Sequence, residues 1–65
     1  MDTQDLLNRI EINPAVMAGK PVIRGTRLTV QFVLGLLQHG ATFQEILDEY
    51  EGLQRQDIEA CLLFA

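Results

Sequence analysis

The amino-acid sequence predicts a mostly helical α+β domain, with a short β-containing arm over residues 1–28 and a three-helix unit over residues 29–65. Three observations predict it. The apolar period changes at Thr29, from short alternating stretches to the three-and-four spacing of helices. A capping signature, Thr42 followed three residues later by Glu45, opens a second helical stretch. The links are brief, Gly40-Ala41 and then Glu51 to Leu53, as in helices joined by tight Gly-containing turns. With 65 residues the chain makes one domain. A domain of this size buries only about 60% of the surface its unfolded chain exposes, and it leans readily on a partner.

The arm is justified first. Residues 9–12, "RIEI", alternate polar and apolar as a half-buried strand does. Asn13-Pro14 marks a turn, and "VMAGKP" reads as a second one. Lys20 precedes Pro21 and is pushed toward extended geometry, so "PVI" becomes a second short strand. Gly25 supplies a positive φ in a tight turn, and "TRLTV" leads on as a third extended piece.

The helices follow. Val30, Val33, Leu34 and Leu37 fall on one face of a helix that Thr29 caps and His39-Gly40 ends. Phe43, Ile46, Leu47 and Tyr50 repeat that spacing behind the Thr42 cap, and Gly52 stops the second helix. In the third, Ile58, Cys61, Leu62 and Ala65 share a face, with Asp57 and Glu59 suiting its N-terminal dipole.

Composition narrows the function. One cysteine, Cys61, excludes an internal disulfide, and one histidine beside it in the count excludes metal-ligand spacing. Cys61 reads as a small buried residue of a reducing, cytoplasmic protein. "MDTQDLLNRI" is polar and acidic, unlike a secretory leader, and no apolar run approaches a membrane span. The hydroxyls are Thr3, Thr26, Thr29, Thr42 and Tyr50, with no serine. His39 sits at a helix end, where it meets terminal carbonyls rather than a substrate. Glu45, Asp48 and Glu49 make a solvated helix side, and "AGKP" lacks the spacing of a phosphate loop. No catalytic residue, metal or cofactor is expected.

Two features remain. The chain has net charge −4, yet Lys20, Arg24 and Arg27 crowd into one segment of the arm. Residues 1–27 hold four bases against three acids, whereas residues 28–65 hold one base, Arg55, against six acids. An anion such as a phosphate backbone therefore meets the arm first. In a helix-turn-helix pair, the start of the second helix reaches base edges. Here that start is Gln54, Arg55 and Gln56, side chains able to pair with adenine and guanine. The other feature is apolar excess: Phe32, Leu36, Leu63 and Phe64 fall off the chosen core faces and suggest a partner surface.

The segments "GKPVIRGTRLTV", "LLQHGATFQEILDEYEGL" and "DIEACLLFA" place the chain beside a known family. They resemble the prokaryotic domain of unknown function 433, matching its pattern at Gly19, Lys20, Pro21, Ile23, Gly25, Thr26, Arg27 and Val30. They match it again at Gly40, Thr42, Glu45, Ile46, Tyr50, Leu53, Asp57, Ile58 and Ala60. The resemblance implies a three-helix, homeodomain-like fold and an antitoxin role, often beside a toxin resembling a PIN-type ribonuclease. Glu51 and Gly52 depart from the family pattern, and Gln54 stands where a Ser or Thr cap is usual. That replacement costs the third helix about 1 kcal/mol of capping. The chain also stops where relatives usually continue, so the resemblance implies little or no toxin-wrapping tail.

Two functions are therefore expected in turn. The first is a dimeric antitoxin-like regulator that binds operator DNA, with Gln54, Arg55 and Gln56 at bases and Arg24, Arg27 and Lys20 at phosphates. The second is a protein-interaction module that uses Phe32, Leu36, Leu63 and Phe64 to dimerise or to dock a partner such as a PIN-like toxin. Against a binding role for the turn stands a structural reading, in which Gly25 fixes the backbone and Thr26 caps it. Arg27 is available to pair with an acid of the helical half, leaving Lys20 and Arg24 exposed.

Overall fold

The computed structural model describes residues 2–65. The chain runs α1 (Thr3–Leu7), β1 (Ile10–Glu11), β2 (Val22–Ile23), α2 (Val30–Gln38), α3 (Phe43–Glu49) and α4 (Arg55–Phe64). It is an α+β domain, mostly α, with principal extents of 29 × 26 × 21 Å. Four helices stand where three were expected over residues 29–65 alone; the additional one is α1. Asp2 caps α1 by accepting the Asp5 N–H at 2.9 Å. That helix has only five residues, too short for a 3.6-residue period to show in the sequence.

The two strands pair antiparallel, Ile10 opposite Ile23 and Glu11 opposite Val22. The third extended piece shrinks to a single bridge between Thr29 and Val22, because the helix begins at the next residue. Gly25, at φ +82°, makes the bend that β2 needs to turn back toward Leu28. Thr26 closes it: its hydroxyl donates to the Ile23 carbonyl at 2.8 Å and accepts the Leu28 N–H at 3.0 Å.

Local capping places the helices where the sequence puts them. Thr29 accepts the Phe32 N–H at 3.0 Å. Thr42 accepts the Glu45 N–H at 3.1 Å while Glu45 accepts the Thr42 N–H at 2.8 Å, a complete capping box. Gly40, at φ +98°, follows α2 and lets the chain reverse into α3.

Helix α4 is the hub, touching α1, α2, α3 and β1. Its buried residues are Asp57, Ile58, Ala60 and Cys61. They meet Ile23, Val33 and Ile46, each essentially inaccessible to solvent. Each such side chain contributes about 1.5–3 kcal/mol on leaving water. Leu62 and Ala65, expected inside, are exposed; α4 is rolled so that Ala60 faces the core and Leu62 turns outward. Phe64 continues the Asp57–Ala60–Cys61 side of the helix and overhangs the end of the core, 39% exposed.

Candidate functional site

The arm sorts its cations into two kinds. Arg24 is structural. Its backbone N–H donates to the Arg9 carbonyl at 2.7 Å, its Nε to the Asn8 carbonyl at 3.0 Å, and its Nη1 meets Glu11 at 3.3 Å. It staples the two sides of the hairpin together. Arg27, expected to reach an acid of the helical half, is exposed, as is Lys20. Neither makes a side-chain hydrogen bond or ion pair with the described residues. In the helical half, Asp57 is paired with Arg9 instead, at 3.0 Å.

That pairing also decides the start of α4. One Asp57 oxygen accepts from Arg9, and the other accepts the Gln54 N–H at 2.9 Å. Asp57 therefore performs the reciprocal half of a capping box, and the capping loss expected from Gln54 is offset from within the helix. The Gln54 side chain is engaged elsewhere: its Oε1 accepts from Arg9 Nη1 at 2.9 Å. Arg55 is exposed but lies over the Phe43 ring, 4.6 Å from its centroid, in a cation–π contact. Gln56 is half-buried. The three side chains proposed to read bases thus sit in three different environments. Bidentate pairing of Gln54 with a base requires its Oε1 to leave Arg9, whereas the Gln54 amide N–H groups and the Arg55 guanidinium donate to no other described residue.

The apolar candidates gather more coherently. Helix α2, "VQFVLGLLQ", holds no charged residue. Val30 and Val33 face the core, while Leu34, Leu36 and Leu37 pack half-buried against its edge. Leu36 is thus partly a core residue, contrary to its expected place off the core face. Phe32 stands 44% exposed, its ring meeting Tyr50 edge-on with centroids 5.9 Å apart. Two grooves flank this helix. One, of about 550 Å³, lies between Lys20, Leu34, Gln38 and Phe64. The other, of about 370 Å³, lies between Phe32, Leu36 and His39. Gln31 and Gly35 line both. Beyond Phe32 a further depression includes Met17 and Arg27. Met17, 43% exposed, was not singled out from the sequence; it lies in a turn where Met17, Ala18 and Gly19 all adopt positive φ. Leu63 is exposed as well, on α4 and outside the residues that line these grooves.

The remaining reactive groups are quiet. Burial, reinforced by the neighbouring Asp57 carboxylate, raises the Cys61 thiol from 9.0 to about 11. It is a protonated core residue at neutral pH. His39 places Nδ1 2.7 Å from the Gly35 carbonyl, at the end of α2. Among the described residues, no three His, Cys, Asp or Glu side chains are grouped to hold a metal ion. No described helix is long and apolar enough to cross a membrane.

Fold and surface together define a small, mostly helical α+β domain that presents an uncharged helix at its surface, bordered by Lys20 and Arg27, which pair with no acid among the described residues. The chain belongs to the family described as protein of unknown function (DUF433), whose model matches residues 10–65. A crystal structure of a DUF433 member protein from Anabaena variabilis ATCC 29413 is similar to it, with a TM-score of 0.84 and 38% sequence identity. The match covers 94% of this chain and 60% of that one, so the present chain spans about three fifths of its relative's length. No curated protein matches.

Proposed function

We propose that this domain is a non-catalytic, cytoplasmic protein-interaction module of the antitoxin type, which docks protein through the exposed face of α2. The observation that carries this reading is the helix itself. In a chain of net charge −4, α2 alone turns Phe32, Leu36 and Gly35 toward grooves without one charged residue to solvate them. The exposed residues of α2 are Gln31, Phe32 and Gln38, so the large aromatic stands among uncharged side chains, and an apolar group left exposed beside grooves supports an interaction site. In this reading α2, α3 and α4 act as a homeodomain-like, helix-turn-helix scaffold. The protein works as a homodimer or beside a PIN-like toxin.

The reading is tested by looking for a PIN-like reading frame next to the gene, titrating the chain with its product by calorimetry, and repeating the titration with Phe32→Asp. Complex formation by the parent chain and at least about a tenfold weakening by the variant are expected. Equal binding by both proteins would remove α2 from the interface.

A second reading, operator binding, is favoured by one specific observation: Lys20, Arg27 and Arg55 are exposed and unpaired with acids. Three cations support only a shallow salt dependence, about −0.9 in log–log slope per phosphate neutralised. Electrophoretic mobility shift at low salt with the upstream DNA measures it. The engaged Gln54 and the acidic helical half favour protein over DNA as the partner.

A further inference from the structure

We infer that the occupant of the α2 face is a second copy of this chain, the two α2 helices crossing at Gly35 about a twofold axis. This deepens the interaction-module reading and rests on it.

Gly35 is the first observation. A glycine inside a helix is unfavourable by about 1 kcal/mol relative to alanine. Such a residue usually answers a close approach from within the molecule. Here a Cβ built on Gly35 meets nothing within 4 Å. The missing side chain serves no contact of its own chain, and the gap opens outward between the two grooves. A helix approaching from outside finds at Gly35 a place where backbones can come close.

Shape is the second observation. A twofold contact uses the same patch on both partners, so the patch must hold both protrusions and recesses. This one does. Phe64, 39% exposed, lines the recess of about 550 Å³ and Phe32, 44% exposed, the one of about 370 Å³, with Gln31 and Gly35 shared between the two. In an antiparallel crossing centred on Gly35, Gln31 of one copy lies near the C-terminal end of the other α2. The opposed helix dipoles then attract.

Charge is the third. A chain at −4 approaches its own copy most easily through a face without acids, and α2 has none. Lys20 borders one groove and Arg27 flanks Phe32 on the other side. Both are free to meet acids of an acidic neighbour. A contact of ordinary size, about 800 Å² per partner, takes less than a fifth of the chain's 4385 Å².

The experiment uses the full chain with no other component. Sedimentation equilibrium from about 1 μM to 1 mM is expected to find a mass of twice 7.3 kDa at the upper end. Gly35→Lys is the discriminating variant. Lysine is a better helix former than glycine and suits the last turn of a helix. The variant should stay folded by circular dichroism, melt no lower than the parent at equal low concentration, and associate at least about tenfold more weakly. Gly35→Cys should oxidise to a covalent dimer, while Gln44→Cys, exposed on α3, should not; Cys61, buried, does not compete. A strict monomer at 1 mM, an undiminished dimer in Gly35→Lys, or equal cross-linking at both positions would overturn the inference. The toxin titration separates the two levels. A monomer that still binds toxin through Phe32 sinks the self-association and keeps the interaction module. A monomer that binds no protein sinks both.

Discussion

Breaking the Arg9–Asp57 link should loosen the whole domain, although its two residues lie at opposite ends of the chain. Asp57 is 7% exposed, and its carboxylate serves two donors: Arg9 at 3.0 Å and the Gln54 N–H at 2.9 Å. A hydrogen bond to a charged group contributes about 1.5–3 kcal/mol, and a helix cap about 1 kcal/mol. Arg9 keeps 27% of its side chain in contact with water, so its share belongs at the low end. Asp57→Ala should therefore cost about 2–3 kcal/mol. Arg9→Met, which keeps the apolar stem but leaves the carboxylate without its cation, should cost about 2 kcal/mol. At about 4–8 °C per kcal/mol for a domain of this size, Asp57→Ala lowers Tm by roughly 8–24 °C and Arg9→Met by roughly 8–16 °C. The assay is urea unfolding followed by far-UV circular dichroism, at one low protein concentration so that association does not intrude. The double variant should lose about 1 kcal/mol less than the sum of the single ones, since both remove one contact. Strict additivity, or single losses under about 0.5 kcal/mol, would show that the arm and α4 are not coupled through this pair.

Other consequences are equally measurable. Thr42→Ala removes one half of the α3 capping box and should lower stability by about 1 kcal/mol, read as a Tm drop of about 4–8 °C. Ala18→Gly relieves a residue held at φ +56°; after the extra freedom of the unfolded glycine is counted, a gain of about 0.5 kcal/mol is expected, and a lower Tm would contradict it. Cys61 gives a pH signature. The unfolded thiol loses its proton near 9.0 and the folded one near 11, so the unfolded state binds fewer protons in that window and stability falls as pH rises through it. Cys61→Ala should flatten that part of the stability–pH curve in urea titrations.

Much of the framework was legible without a structure because its causes are local. Thr29, Thr42 with Glu45, and Gly40 act on backbone groups three or four residues away, and they set the bounds of α2 and α3. The two short extended stretches were legible, whereas their antiparallel pairing, Ile10 opposite Ile23, came from the structure. The α1 cap was also written in Asp2 and Asp5, but five residues hold too little periodicity to announce a helix. The family resemblance lay in the same motifs, and the family match over residues 10–65 bears it out.

The chain alone determined where α2, α3 and α4 begin, where its arm turns and which of its stretches are apolar, since those depend on residues within one helical turn of each other. Only the tertiary structure decided which arginine is tied down. Arg9 reaches Asp57 across 48 positions and Arg24 reaches Glu11, so Arg27 and Lys20 are left to the surface. It likewise decided the roll of α4, which hides Ala60, turns out Leu62 and hangs Phe64 over a groove beside α2. A side chain's periodic position says which neighbours it shares a face with; how that face is rotated against the rest of the core depends on every element that packs there at once.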